Sequence, residues 1–170
     1  MNYLQECHES LNWLSSVSFR FRPKSEDVVQ KGLLLANAFE KLSLDEKNKI
    51  IESLAPNLDM KLFSLSGWMA EAAINEENEI LVRGALILHL LENFRLDYRE
   101  NIRYLILIAF AANELGFEFA AIADPLMYMA SPQAKQYLSE FSNRDIGLNK
   151  LSSFGIKGEK IDGIFRFSRL

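Results

Sequence analysis

Residues 78–116 read NEILVRGALILHLLENFRLDYRENIRYLILIAFAANELG, and this stretch indicates the class of structure. Its two apolar runs, Ile80 to Leu91 and Ile102 to Ala112, are hydrophobic on nearly every face of a helix. A helix that is hydrophobic all round is a buried helix. The linker between the runs is short, and Gly116 is well placed for the left-handed residue that ends a helix. We therefore predict an αα-hairpin at about 78–115 that runs through the middle of the molecule.

The chain on either side of this hairpin favours more helices. Ser43 and Glu46 form a capping box, in which the serine hydroxyl and the glutamate carboxylate bond free amides of the first helical turn. Hydrophobic periodicity, caps and proline positions predict the other helices. Their approximate ranges are 2–16, 25–41, 44–54, 58–74 and 132–141.

The C-terminal part of the chain has a different composition. Residues 143–170 hold four of the eight glycines, so we expect a poorly regular tail with a short extended piece at Ile164 to Phe167. No clear strand pair is visible, and the predicted class is all-α with about eight helices, as an irregular bundle or a short α-solenoid. The expected division is a helical domain over 1–142 and a basic tail over 143–170 that packs on it or extends from it.

Residues 58–130 combine helices joined by tight turns with inner helices that are entirely apolar. In this arrangement the segment resembles HEAT and armadillo-type α-solenoids, although no internal repeat aligns residue by residue. The resemblance implies helical hairpins that stack side by side.

The charge of the chain is acidic and uneven. Lys and Arg total 19 against 23 Asp and Glu, which gives a net charge of −4. This sign disfavours binding to the phosphate backbone of nucleic acids. Residues 1–142 carry 13 basic and 20 acidic side chains, while residues 143–170 carry 6 and 3. An acidic body of this kind favours a basic partner.

The expected compartment is the cytoplasm. Cys7 is the single cysteine and cannot form an internal disulfide. The first residues, MNYLQECHES, have neither the basic nor the apolar region of a secretory signal. The longest charge-free runs are far shorter than the roughly 18 to 20 apolar residues that span a bilayer. We therefore expect no membrane segment and no membrane partner.

Few residues offer catalytic or metal-binding chemistry. His89 and Glu92 reverse the order of the Glu-x-x-His pair of di-iron sites, and the pattern occurs once. His89, Glu92 and Glu71 could supply three zinc ligands, but nothing in their spacing demands it, and a core histidine is favoured. Cys7 and His8 point about 100° apart on a helix, which is poor geometry for a thiolate–imidazole pair. We predict no catalytic residue, no metal and no cofactor.

Two groups of residues are candidates for binding. The turn of the central hairpin has charges of both signs beside aromatic residues, which is either a turn held by caps and ion pairs or a recognition patch. The charged residues of this turn patch are Glu92, Arg95, Asp97, Arg99, Glu100 and Arg103. The second group would line a pocket between helices and comprises Trp68, Glu71, His89 and Glu92.

The leading hypothesis is a non-enzymatic helical module that binds another protein through the end or the concave side of stacked hairpins. One concrete case is a bacterial immunity-type inhibitor, whose acidic surface masks a basic toxin. The alternative is an enzyme or small-ligand carrier that uses the interhelical pocket. A third hypothesis is self-association through the phenylalanine-rich ends.

Overall fold

A computed structural model describes residues 2–16, 24–54, 65–93, 98–118 and 147–170. The predicted helical turns after Phe117 and the predicted helix at 132–141 fall largely or wholly outside these ranges. The elements are, in chain order, α1 (Tyr3–Ser16), α2 (Ser25–Lys41), α3 (Leu44–Leu54), α4 (Leu65–Asn75), α5 (Glu79–Asn93), α6 (Tyr98–Glu114), α7 (Leu148–Ser153), β1 (Ile156–Ile161) and β2 (Ile164–Arg169). The described chain is mostly helical, which confirms the predicted fold class. Within it, no helix has both the length and the hydropathy needed to cross a membrane.

The predicted signals for helix ends are confirmed at two places. The Ser43 hydroxyl accepts a bond from the Glu46 N–H at 3.3 Å, and the Glu46 carboxylate accepts one from the Ser43 N–H at 2.9 Å. Gly116 has a φ of 83°, and the N–H of Phe117 donates to the carbonyl of Ala112 at 2.9 Å. These bonds satisfy backbone groups that α3 and α6 would otherwise leave unpaired at their ends.

The two apolar helices form the centre of the described structure. α5 contacts α2, α4 and α6, so it has neighbours on several sides. Fully buried residues run along both helices, as a hydrophobic surface on every face requires. They include Leu81, Val82, Ala85, Leu86 and Leu88 of α5, and Leu105 to Ala112 of α6. The predicted central αα-hairpin is confirmed.

α2 and α5 approach each other closely at two glycines. A Cβ atom on Gly84 would lie 3.1 Å from the carbonyl oxygen of Gly32 and 2.7 Å from Sδ of Met69. A Cβ on Gly32 would in turn lie 2.9 Å from the Met69 side chain. Glycine at both positions therefore lets Met69 of α4 fill the space where the three helices meet.

The C-terminal tail is regular, so the expectation of a poorly regular tail without a strand pair is wrong. β1 and β2 form an antiparallel hairpin in which Ile161 lies opposite Ile164. Asp162 and Gly163 make the turn with φ values of 53° and 80°, as a type I′ turn requires. The predicted extended piece at 164–167 is the first part of β2.

The hairpin belongs to the same hydrophobic core as the helices. Phe165 and Phe167 are buried, and their ring centroids lie 5.7 Å and 6.0 Å from that of Phe110 on α6. A Cβ on Gly158 would lie 2.8 Å from the Phe165 ring, so this glycine lets the ring lie across β1. Because both rings are buried, these two phenylalanines cannot mediate the self-association through phenylalanine-rich ends that was hypothesised from the sequence.

Candidate functional site

Two polar side chains of α4 hold the outer edge of β2. The Asn75 amide donates to the carbonyl of Phe165 at 3.1 Å and accepts from its N–H at 2.7 Å. The Glu71 carboxylate accepts from the N–H of Phe167 at 2.7 Å. An edge strand leaves alternate backbone groups unpaired, and these side chains bond them as a neighbouring strand would. We call Glu71 and Asn75 the edge clasp.

Glu71 and Trp68 were predicted to line a ligand pocket, and the structure places both against the core. Glu71 is 3% exposed, and one of its carboxylate oxygens is bonded to β2. Trp68 lies one turn earlier on α4 and is half-buried beside the hydrophobic cluster. A bonded carboxylate and a packed indole are structural parts of the joint between α4 and the hairpin.

His89 is a buried residue of α5, as the sequence favoured. It is 1% exposed, and burial lowers its pKa to about 3. An imidazole with this pKa is neutral near pH 7, because charging it would require burying a cation. It is therefore poorly matched to proton transfer at neutral pH.

Cys7 is likewise a core residue. It is fully buried on α1, and burial raises its pKa to about 12, with further contributions from the charges of Glu6 and Glu46. The thiolate is the nucleophilic and metal-binding form of cysteine. The buried thiol stays protonated near pH 7 and packs as a small apolar side chain.

The turn patch lies outside the described part of the structure. Glu92 belongs to α5 and Arg99, Glu100 and Arg103 belong to α6, but their side chains are not among those described. Arg95 and Asp97 lie outside the described residues altogether. The patch stays a prediction, and so does the convergence of the four pocket residues. Among the described residues, no three His, Cys, Asp or Glu side chains gather as a metal ion would require.

The edge clasp also fixes where the turn of the hairpin lies. Phe165 is bonded to the last residue of α4 and Phe167 to a residue one turn earlier, so β2 runs antiparallel to α4. The turn therefore extends past the end of α4, on the side where α5 begins. The exposed residues at this end, which we call the acidic tip, are Glu76, Glu77, Glu79, Ile161, Asp162 and Ile164.

The acidic tip combines an apolar centre with charged neighbours. Ile161 and Ile164 are 52% and 49% exposed, and they lie opposite each other in the hairpin, so they form one apolar spot. The tip holds four carboxylates, whereas the four exposed cations of the hairpin, Lys157, Lys160, Arg166 and Arg169, lie along its strands. The acidic character inferred for the helical body thus extends to this surface, although the tail as a whole is basic.

The sequence contained a signal for the hairpin that the glycine count obscured. Asp162-Gly163 between alternating apolar and polar residues is a strong indication of a two-residue hairpin turn. Asn75 carried no such signal, because its role depends on a strand 90 residues further along the chain.

Compared with known proteins, the chain matches no family model, no curated protein and no solved structure.

Proposed function

We propose that the protein is a non-enzymatic helical module that binds another protein through the acidic tip. The observation that carries this proposal is the pair of half-exposed isoleucines at the end of a hairpin, with Asp162 between them in the turn and the exposed carboxylates Glu76, Glu77 and Glu79 at the same end of the structure. The partner would offer an apolar recess with basic residues around it.

The composition of the tip supports a contact with a protein. Interfaces combine an apolar centre with a polar rim, and isoleucines held on a rigid turn lose little conformational freedom on binding. Carboxylates around such a centre accelerate association with a basic partner and suppress binding of acidic ones. An immunity-type inhibitor that masks a basic toxin is one case with this chemistry.

The described titratable groups of the core support a non-enzymatic role. Cys7 and His89 are buried and neutral near pH 7, and Glu71 bonds the backbone of β2. Each of the three contributes to packing or to joining elements. The alternative of an interhelical pocket stays a prediction, since it requires the side chain of Glu92.

The experiment is a pull-down from native lysate at low and high salt, followed by mass spectrometry, with two variants beside the native chain. In the first variant, Ile161→Ser and Ile164→Ser remove the apolar spot. The matched control is Leu44→Ser on α3, because Leu44 is 59% exposed and lies in another element. We expect a basic protein that the native chain and the control retain and that the tip variant loses.

Salt provides the second readout. If carboxylates of the tip face basic residues, the recovered amount of partner falls as ionic strength rises, because exposed charges are screened. Recovery of no stable partner would contradict the proposal. Equal binding by the tip variant, or binding indifferent to salt, would contradict the assignment to the acidic tip.

A further inference from the structure

The outer edge of β1 is the second edge of the hairpin. The N–H of Leu170 donates to the carbonyl of Gly155 at 3.0 Å, so these two opposite residues are a hydrogen-bonded pair. In an antiparallel hairpin, hydrogen-bonded and non-hydrogen-bonded pairs alternate, and the register then shows which residues of β1 bond to β2. The N–H and C=O groups of Ile156, Gly158 and Lys160 consequently point away from β2. The edge clasp bonds three outward groups of β2, namely the N–H and C=O of Phe165 and the N–H of Phe167. In the described part of the chain, no segment bonds those of β1.

We propose that this edge pairs with the same edge of a second copy of the chain. The two β1 strands run antiparallel about a twofold axis at Gly158, so that the two hairpins make one continuous four-stranded sheet. Gly158 exchanges bonds with Gly158 of the second copy, and Ile156 exchanges bonds with Lys160. A contact of this kind uses the same surface on both copies and closes at two.

Charge selects this register over its neighbours. The residues of β1 whose N–H and C=O groups point outward alternate along the strand, and in an antiparallel pair they must lie opposite outward-pointing residues of the second copy. The twofold axis therefore passes through a residue of β1 and not between two residues. An axis at Lys157, Glu159 or Lys160 places that charged residue opposite its own copy, which is destabilising. An axis at Gly158 places Lys157 opposite Glu159 of the second copy, once on each side.

The surroundings of Gly158 fit an axis there. Leu148 on α7 is 54% exposed, and its Cδ2 atom lies 3.3 Å from the position that a Cβ on Gly158 would take. The two copies of Leu148 would therefore flank the axis and shield each other from water. Gly158 itself adds no side chain between the approaching backbones.

The size of the strand sets the strength of the pairing. Each β1 has six residues, so the contact falls below the roughly 1,200 Å² that standard-size interfaces bury. We expect a reversible equilibrium in which the fraction of dimer rises with protein concentration.

The test is sedimentation velocity over a concentration series with two charge variants. In the proposed dimer, Lys157 faces Glu159 of the second copy on each side of the axis. Lys157→Glu places two carboxylates opposite each other on each side, and Glu159→Lys places two ammonium groups there. Each variant alone should self-associate about tenfold more weakly. An equimolar mixture restores opposite charges at both pairs, and a mixed dimer should form as strongly as the native one.

Two further variants separate the strand edge from general effects. Lys160→Pro removes one outward N–H but no bond within the hairpin, and it should abolish the dimer while thermal unfolding shows a folded chain. Lys24→Glu makes the same change of charge as Lys157→Glu at an exposed residue before α2 and should leave the dimer intact. A native chain that is monomeric at every concentration would overturn the proposal, as would a mixture of the two charge variants that forms no mixed dimer.

Discussion

Two glycines and one histidine show how single residues shape this structure. The glycines have no side chain and so allow close packing, and the histidine is uncharged where it is buried. Gly84 allows α2 and α5 to touch, and Gly158 allows an aromatic ring to cross β1. His89 is accommodated at the centre of the molecule as a neutral ring. Each of these residues has an effect that a single substitution can measure.

Gly84→Ala should lower the free energy of unfolding by about 1–3 kcal/mol, because the new methyl group meets the backbone of Gly32 and α2 and α5 must separate. Thermal unfolding monitored by circular dichroism measures this. The matched control is Gly67→Ala, whose methyl group would meet, among the described residues, Leu107 alone at an ordinary 3.5 Å. Alanine also favours a helix over glycine by about 1 kcal/mol, so the control should be neutral or stabilising. Equal losses in both variants would contradict the close approach.

His89 should make stability depend on pH below neutrality. Its pKa is about 3 in the folded chain, whereas an unfolded histidine titrates near 6.5. Between these values the unfolded state binds a proton that the folded state does not, so stability falls as pH decreases, and above 6.5 this contribution vanishes. The free energy of unfolding in urea should be about 2 kcal/mol lower at pH 5 than at pH 7 from this residue.

The two histidines of the chain provide the control for this experiment. The pH dependence assigned to His89 should be absent in His89→Met and unchanged in His8→Gln, because His8 lies half-exposed on α1. Equal pH dependence in the native chain and in His89→Met would show that folding does not lower the pKa of His89.

At the scale of elements, the hairpin depends on α4 as much as on its own turn. Two-stranded hairpins are marginal by themselves. Here one face packs on Phe110, and the outer edge of β2 is bonded by Glu71 and Asn75. The same joint fixes the direction of the hairpin and so places the acidic tip beyond the end of α4.

Asn75→Ala should release this edge without unfolding the helices. The Phe165 amide faces away from β1 and is bonded to Asn75, so its hydrogen exchange should accelerate about 10- to 100-fold, the equivalent of two lost bonds. Exchange measured residue by residue tests this, with Glu76→Ala, at the neighbouring exposed position, as the control. Unchanged exchange at Phe165 would show that the clasp does not hold the strand.

At the scale of the whole molecule, the helical body and the tail share one core. Phe165 and Phe167 belong to the same buried cluster as α4, α5 and α6. The hairpin thus presents two different surfaces on a rigid base: the acidic tip, proposed to bind a basic protein, and the β1 edge, proposed to bind a second copy. The resemblance to HEAT and armadillo-type proteins stays a prediction.

The sequence by itself determined the helical class, the capping box at Ser43, the C-terminal Gly116 and the buried hairpin of α5 and α6. These features depend on residues that are close together in the sequence, and the spacing of apolar, capping and glycine residues along a helix indicates them. Of the candidate site, it identified Glu71 and His89 as residues of interest but not what they do.

Only the tertiary structure decided how the tail packs and which surfaces remain exposed. Glu71 and Phe167 are 96 residues apart in the chain, and no local pattern connects a polar side chain on a helix with the edge of a distant strand. The same contact takes the carboxylate from solvent and fixes the hairpin, and among the described residues no segment bonds the outer edge of β1. The packing of the entire core brings Glu71 and Phe167 together, so this bond depends on the tertiary structure and not on the local sequence.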